Sequence, residues 1–232
     1  MRNFELIGNF LLQLLPVINI TLTVSVSALV LGSFIGLILT LGKIGSSRIL
    51  RGIVAGYISI VRATPPIIMI FLVYYGLPFI TANFFKINIE GWNRIYFVII
   101  ALTLLFSAPV AEIMRSAYLS IDKGQYEAGI MVGMNKFQIF YRIILPQATV
   151  VALPNYATAL INLLKEGSLT FTIGVVDMVA KSQMIVSNNS GGYAWQTYGS
   201  LALIYWALSL AIGRVVALSE KAYQKKRQSI SI

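Results

Sequence analysis

The uncharged stretch VINITLTVSVSALVLGSFIGLILTL occupies residues 17–41, near the start of the chain. A helix needs roughly 20 apolar residues to cross the hydrocarbon core of a bilayer, so this stretch predicts a membrane-spanning helix. Ser25 and Ser27 also have the small-x-small spacing of a signal-peptide cleavage site. The apolar core of a cleaved signal is only about 7–15 residues long, however, and this one continues far beyond that site. We therefore interpret residues 17–41 as the first transmembrane helix.

The composition of the whole chain indicates the same class. Of its 232 residues, 57% are hydrophobic and 11% are charged, and its mean hydropathy is +0.79. Soluble domains carry about 25% charged residues, so these values indicate a membrane protein. The net charge of +10 is spread too sparsely along the chain to predict a nucleic-acid partner.

The chain contains no cysteine and no histidine. This excludes disulfides, thiol chemistry, histidine-ligated metals, and catalysis by Ser-His-Asp or Cys-His groups. The eight acidic residues are scattered, which argues against a metal site built from carboxylates. We therefore expect no catalytic site, no metal site and no cofactor bound by the chain itself.

Four further segments are predicted to cross the bilayer. They are residues 58–82, 94–114, 143–164 and 198–218. The third of these spans requires that the Glu112 carboxylate face protein. Leu169–Val179 is apolar apart from Asp177 but too short to cross, so it predicts a re-entrant or surface segment buried against protein. The expected fold is thus an all-α integral membrane protein with five transmembrane helices, in one domain over residues 10–225.

The distribution of basic residues predicts the orientation of the spans, because Lys and Arg accumulate on the cytoplasmic side. With the N-terminus outside, twelve basic residues lie inside: Lys43, Arg48, Arg51, Arg115, Lys123, Lys136, Arg142, Arg214, Lys221, Lys225, Lys226 and Arg227. Five lie outside: Arg2, Lys86, Arg94, Lys165 and Lys181. The bias predicts an N-out, C-in topology. The polar segment Ser187–Gln196 then reads as an outside loop, and the basic tail Lys221–Arg227 as an anchor on anionic lipid.

The cytoplasmic loop of residues 122–142 carries the most informative pattern. Its apolar residues recur at helical spacing and predict an amphipathic helix outside the bilayer: Ile130, Met134, Phe137 and Tyr141. Gly129 and Gly133 allow a close backbone approach or a turn. Such a helix suits docking in a groove of a partner protein. It suits lying on the lipid surface equally well, and periodicity alone does not separate the two.

The same loop matches a known signature. It contains Glu127-Ala128-Gly129, then Gly133, Ile143 and Leu145-Pro146. This resembles the pattern Glu-Ala-Ala, three residues, Gly, nine residues, Ile, one residue, Leu-Pro of permease subunits in ATP-binding-cassette importers. Every gap agrees, and the one departure is Gly129 in place of the usual Ala. The substitution keeps the residue small but loosens a helix by about 1 kcal/mol.

Other stretches resemble the polar-amino-acid branch of that family, and the resemblance extends over about residues 10–225. They are Arg62-Ala63-Thr64-Pro65, Tyr74-Tyr75-Gly76-Leu77-Pro78, Ala111-Glu112-Ile113 with Arg115, Leu164-Lys165-Glu166-Gly167-Ser168-Leu169, and Ile173-Gly174. Glu166 and Gly167 depart from the usual Lys-Asp-Thr-Ser-Leu element. The form Lys-Glu-Gly-Ser-Leu resembles the cystine-type permeases more than those for histidine or glutamine, which favours cystine as the substrate.

The resemblance implies a complex of several subunits in a bacterial cytoplasmic membrane. Two permease chains, identical or paralogous, pair in the bilayer, two ATPase subunits dock below them, and a separate extracytoplasmic binding protein delivers the amino acid. The loop is then expected to dock in a cleft of the ATPase through Tyr126, Glu127, Ala128, Gly129 and Gly133. ATP would be bound by that partner, and this sequence has no Gly-x-x-x-x-Gly-Lys-Ser/Thr phosphate loop.

Polar residues at membrane depth are costly and usually face protein or a transport pathway. The candidate pathway residues are Arg62, Glu112, Asn162, Lys165, Glu166 and Ser168. Lys165 and Glu166, adjacent at the predicted mouth of the fourth span, would match the carboxylate and ammonium of a free amino acid. Lys165 can equally anchor a helix end by snorkelling.

Arg62 and Glu112 have structural alternatives as well. Arg62 can bond the carbonyls that Pro65 and Pro66 leave unpaired, pair with Glu112, or snorkel to the inner surface. Glu112 and Arg115 are three apart on one helix and can pair as neighbours.

We therefore predict a permease that passes a polar amino acid inward by alternating access and depends on a separate ATPase. One alternative is a secondary transporter or small channel that works without an ATPase. It would be expected to have ion-binding acids at mid-depth or inverted repeats, and the sequence has neither. The other is an intramembrane enzyme, against which the absence of His, Cys and paired carboxylates within a span argues.

Overall fold

Two parallel helices, α2 (Ile18–Ile44) and α6 (Arg94–Leu119), form the centre of the fold. The residues of α2 that face α6 are small or hydroxylated and recur every four positions: Ala28, Gly32, Gly36 and Thr40. A Cβ atom on Gly36 would lie 2.8 Å from Val110 Cγ1 and 3.1 Å from the Ser107 carbonyl oxygen. The two backbones therefore approach as closely as small residues allow, which is the usual basis of helix association in membranes.

The structure is a computed structural model that describes the backbone of residues 2–228 and the side chains of residues 5–222. Every regular element in this range is helical. The remaining helices are α1 (Arg2–Leu14), α3 (Arg48–Ala63), α4 (Pro66–Phe71), α5 (Leu77–Ile80), α7 (Lys123–Met131), α8 (Lys136–Ile139), α9 (Leu145–Gly167), α10 (Met178–Asn188) and α11 (Ala194–Gln228). Several of them are joined by short 3₁₀ turns (Leu15–Val17, Ser168–Ile173) or π turns (Leu72–Gly76, Thr81–Phe85, Phe140–Ile144).

Within the described residues, five stretches are long and apolar enough to cross a bilayer. They are Glu5–Ile44, Pro66–Phe85, Arg94–Leu119, Lys136–Ile173 and Ala194–Ala222. The predicted all-α fold with five transmembrane helices is therefore confirmed.

The second span differs from the single helix predicted over residues 58–82. Two helices meet there, because α3 ends at Ala63 and α4 begins at Pro66. Pro65 and Pro66 have no N–H to donate, and a residue that precedes proline avoids helical backbone angles. Thr64 accordingly adopts an extended conformation. From Pro66 the chain stays helical to Phe85.

The residues before the predicted first span form a separate helix, α1, which the sequence analysis does not predict. Pro16 lies in the 3₁₀ turn between α1 and α2. Phe10 and Leu14 of α1 are buried in a cluster with Met178, Ile185, Leu201 and Ile204. The Ser200 hydroxyl donates a hydrogen bond to the Ile7 carbonyl oxygen at 3.1 Å. Thus α1 packs against α10 and α11.

The fourth span is longer than the predicted residues 143–164, since it extends from Lys136 to Ile173. Lys165 and Glu166 lie in the last turn of α9, about two turns before the end of this stretch at Ile173, and their position at the mouth of the fourth span stays a prediction. Beyond the span, Val175 and Asp177 are buried, as predicted for Leu169–Val179. The Asp177 carboxylate caps α10 by accepting a hydrogen bond from the Ala180 N–H at 2.8 Å.

The predicted outside loop Ser187–Gln196 is shorter than expected. Helix α10 reaches Asn188 and α11 begins at Ala194, which leaves only a tight turn between them. Ser190, Gly191 and Tyr193 in this turn have positive φ angles of 53°, 82° and 58°. The side chains of Lys225, Lys226 and Arg227 lie outside the described residues, so the anchoring role of the tail stays a prediction.

The packing of α2 on α6 predicts that Gly36→Ala lowers the stability of the chain by about 1–3 kcal/mol, because the added methyl group overpacks a fitted contact. Gly213→Ala is the matched control, since a Cβ on Gly213 in α11 would meet no atom within 4 Å. Thermal unfolding of both detergent-purified variants measures the effect. Equal melting temperatures for the two variants would contradict the close approach of α2 and α6.

Candidate functional site

A cavity of about 460 Å³ lies between the second, third and fourth spans. On α6 its wall runs from Leu105 to Ile113, the middle of that helix. At 1.5 Å per residue, Leu105 is about 16 Å from the start of α6 at Arg94. The cavity therefore extends along the middle of α6, from about 16 Å after its start to about 9 Å before its end at Leu119.

The break between α3 and α4 forms one side of this cavity, through Arg62, Thr64 and Pro66. Pro66 has no N–H to donate to the Arg62 carbonyl oxygen. The Thr64 carbonyl oxygen accepts no hydrogen bond from any residue that the structure describes. Backbone acceptors are thus freed at membrane depth, which is tolerated only where they face protein or a polar cavity.

One face of α9 forms the opposite side. Its polar residues are spaced by three or four positions and all line the cavity: Asn155, Thr158, Asn162 and Glu166. Asn162 and Glu166 were predicted from the sequence as pathway residues, whereas Asn155, Thr158 and Thr64 were not. The polar stripe on α9 was visible in the sequence as residues at helical spacing within an apolar span.

Arg62 and Glu166 are the only charged residues in the described lining. Neither side chain forms an ion pair or hydrogen bond with another described residue. Arg62 therefore takes none of its predicted structural partners. The Arg62 side chain is exposed and that of Glu166 is half-buried, and charged groups at membrane depth are costly unless a ligand or water compensates them. Together with three neutral polar residues of α9, they can hold a carboxylate and an ammonium group at once.

Three of the predicted pathway residues lie outside this cavity. The Glu112 carboxylate binds the Lys43 ammonium at 2.8 Å and also pairs with the Arg115 guanidinium, so it joins α2 to α6. The Ser168 hydroxyl donates to the Lys165 carbonyl oxygen at 2.6 Å, within the helix. Lys165 is exposed and does not line the cavity.

The loop between α6 and α9 is not the single amphipathic helix predicted. Helix α7 ends after Met131, and Gly133 has a φ of +80°. The Met134 N–H donates to the Gly129 carbonyl oxygen and the Gly133 N–H to the Ile130 carbonyl oxygen. This is the Schellman arrangement, which places glycine just beyond a helix end. A capping box of Asn135 and Gln138 then starts α8.

Gly129 fixes α7 to the start of the fourth span. It is buried, and a Cβ on it would lie 2.7 Å from Ile139 Cγ1 and 3.4 Å from Ile143 Cδ1. Ile139 itself is fully buried. Glycine at position 129 therefore allows close packing of α7 on the isoleucines of the fourth span. The Gln147 side chain also approaches that of Gln125 at 3.3 Å.

The far side of the loop is exposed and largely apolar. Its exposed apolar side chains are Ile130, Met131, Val132, Phe137 and Tyr141. Glu127 and Ala128 are also exposed, whereas Tyr126 is half-buried. Gly133 lies in open space, since a Cβ atom added to it would meet no described atom within 4 Å. Of the five predicted coupling residues, Gly129 faces the protein and the other four are at or near the surface.

Comparison with known proteins agrees with this architecture. The model of the family described as "Binding-protein-dependent transport system inner membrane component" matches residues 28–225. The probable amino-acid permease YxeN of Bacillus subtilis is 39% identical over 93% of this chain and 92% of its own length. The L-cystine transport system permease TcyL of the same organism is 33% identical, over 98% and 94% of the two chains.

Solved structures lead to the same fold. The crystal structure of an amino acid ABC transporter with histidines superposes with a TM-score of 0.77 at 28% identity, over 90% of this chain and 94% of that one. An inward-facing form of the MetNI methionine ABC transporter, at 19% identity and a TM-score of 0.64, shares the fold. The chain therefore belongs to the family of binding-protein-dependent transport system inner membrane components, as the permease subunit of an amino-acid ABC importer rather than an enzyme.

Proposed function

We propose that the cavity between the spans binds a polar amino acid, with L-cystine the preferred candidate, during its passage across the membrane. The observation that carries the proposal is the pair of unpaired charges, Arg62 and Glu166, in one mid-depth cavity. Arg62 would take the substrate carboxylate, for which a guanidinium provides two parallel donors. Glu166 would take the ammonium, with the freed Thr64 carbonyl oxygen as a further acceptor. The amides of Asn155 and Asn162 would bind side-chain polar groups.

The support for cystine comes from two sources. The Lys165-Glu166-Gly167-Ser168-Leu169 element resembles cystine-type permeases. The relative TcyL is named as an L-cystine permease, while other relatives are named for other amino acids or for amino acids in general. Cystine carries two ammonium and two carboxylate groups, so one end of it can occupy the pair formed by Arg62 and Glu166.

We propose further that the exposed side of the loop docks in a cleft of a cytoplasmic ATPase, which binds the ATP. Gly129 packs on Ile139 and Ile143, and these begin the helical stretch that continues through α9 to Glu166. A shift of α7 imposed by the ATPase would therefore move α9 and its polar face. This is a continuous packed route between the two sites. It suits alternating access, in which ATP on the partner changes the relative stability of two conformations.

The remaining parts of the transporter follow from the family. A second permease chain, identical or paralogous, would pair with this one in the bacterial inner membrane. A binding protein would deliver the amino acid from the outside. Two of the relatives, TcyL and TcyB, are both named as cystine permeases of one organism, which favours a paralogous partner.

If the cavity binds the amino acid, Glu166→Gln and Arg62→Gln should each reduce uptake about tenfold or more at low substrate concentration. Each substitution removes a charge-assisted hydrogen bond, worth about 1.5–3 kcal/mol, and leaves a neutral polar side chain in its place. The measurement is uptake of labelled cystine in cells, with competing amino acids and with protein levels followed by immunoblot. Lys165→Gln is the matched control, because Lys165 is adjacent but outside the lining. Equal losses in all three variants would contradict a role for this cavity.

At the loop, Gly133→Leu should uncouple the transporter, whereas Gly133→Asn should retain most of its activity. Position 133 has a φ of +80°, which Asn adopts far more readily than Leu. Because open space surrounds Gly133, the loss would come from a changed turn and a displaced docking surface. Co-purification with the ATPase and substrate-stimulated ATPase activity measure it. Normal transport by Gly133→Leu would instead favour a loop that rests on lipid.

The N-out, C-in topology is proposed from the bias of basic residues. A reporter enzyme that is active only in the cytosol should be active when fused after Ile232. The same reporter inserted in the turn between α10 and α11 should be silent. The reverse pattern of activities would overturn the orientation.

A further inference from the structure

A second cavity, of about 310 Å³, lies between α1, α10 and the start of α11. Its apolar walls include Phe10 and Ile185, which belong to the buried cluster that joins these helices. It is separate from the mid-depth cavity, because no residue lines both. None of the residues considered above for substrate or ATPase binding contributes to it.

The polar lining of this second cavity has a distinctive charge. Lys181 is its only charged side chain, and no acidic residue is among its described lining. The Lys181 ammonium and the side-chain amides of Asn9, Gln13 and Asn188 form no hydrogen bond with any described residue. Lys181 is half-buried and the three amide side chains are exposed at the rim, so all four are free to contact a bound ligand. A single cation together with amide donors suits an anion with several oxygen atoms.

The cavity lies at the end of the fifth span. Ile7, next to the lining residue Leu6, accepts a hydrogen bond from Ser200. Ser200 is six residues into α11, about 9 Å from its start. Tyr193 in the lining immediately precedes α11, and Trp195 and Tyr198 beside it are exposed, as aromatic residues at a membrane interface commonly are. The polar groups of the cavity are therefore at headgroup level.

An apolar surface continues from the cavity toward the bilayer. Met184 lines the cavity and is 45% exposed, while Leu12 on the adjacent turn of α1 is 68% exposed. A soluble anion would need only the polar part of this surface. A molecule with a phosphate and acyl chains would use both the polar lining and these exposed side chains.

We propose that this cavity binds the phosphate of a membrane phospholipid, in the leaflet on the side where α11 begins. Lys181 pairs with the phosphate, and Asn9, Gln13 and Asn188 bond to its oxygens and to the headgroup. The acyl chains pass along Met184 and Leu12. The bound lipid then joins α1 to α10, two elements whose polar groups are otherwise unpaired across the cavity.

The test uses the complete transporter purified in detergent, titrated with three probes. They are dihexanoyl phosphatidylglycerol, dihexanoylglycerol with the same chains but no phosphate, and inorganic phosphate. Native mass spectrometry or the shift in melting temperature gives the affinity. We expect phosphatidylglycerol to bind more tightly than either of the other probes, and Lys181→Met to weaken its binding about tenfold, the effect of one charge-assisted bond. Lys181→Arg should retain most of the affinity.

The matched control is Lys86→Asn, at the same end of the spans but outside the cavity. Asn tolerates the positive φ of 59° at that position. Its lipid binding should equal that of the unmodified transporter.

Equal affinity for inorganic phosphate would show a free anion site, and equal affinity for dihexanoylglycerol would show that the phosphate is not recognised. Either result, or unchanged binding by Lys181→Met, overturns the proposal. If Lys181→Met does not fold, Gln13→Leu takes its place, because Gln13 is an exposed residue of α1, and the same loss of phosphatidylglycerol affinity is expected.

Discussion

The close contact between α2 and α6 is the constraint on which the rest of the molecule depends. In a bilayer the hydrophobic effect does not drive helices together, so packing and hydrogen bonds must do so. Gly32 and Gly36 allow the contact, and the Thr40 hydroxyl completes it by approaching the carbonyl oxygens of Gly36 and Ala111 at 2.8 and 3.1 Å. The ion pairs of Glu112 with Lys43 and Arg115 join the two helices near their C-terminal ends. With α6 fixed in this way, its other faces are free to support the broken second span and α9.

Helices α3 and α9 are held to the central pair, α2 and α6, by few polar side-chain contacts. The Tyr57 hydroxyl lies 2.8 Å from that of Ser107, which holds α3. The Tyr156 hydroxyl lies 2.6 Å from that of Ser33, which holds α9 to α2. The cavity that contains Arg62 and Glu166 lies between these helices and α6. Few polar side-chain contacts thus hold these helices to the centre, which suits the alternating access proposed above, because a helix held by few such contacts can shift at low cost.

Much of this architecture was predictable from the sequence, and the failures have identifiable causes. The five spans follow from apolar length alone. Hydropathy averaged over a window does not show where a helix is interrupted. The predicted second span therefore runs through Pro65 and Pro66, although two adjacent prolines are a signal for a helix end. The cavity that Glu166 lines could not be predicted, because its lining combines residues of α3, α6 and α9 that are distant in sequence. The ion pair of Glu112 with Lys43 could not be predicted, because the two residues are 69 positions apart in the sequence.

The packing of Gly129 on Ile139 has a consequence for how such transporters diverge. The loop and the span that follows it cannot be exchanged independently. The space that a Cβ atom on Gly129 would need is occupied by the Ile139 side chain. A loop taken from a permease with alanine at this position would not seat on this span without a compensating change at Ile139. If the exposed side of the loop meets the ATPase as proposed above, the match between a permease and its ATPase depends on two surfaces, the exposed one that docks and the buried one that holds the loop in place.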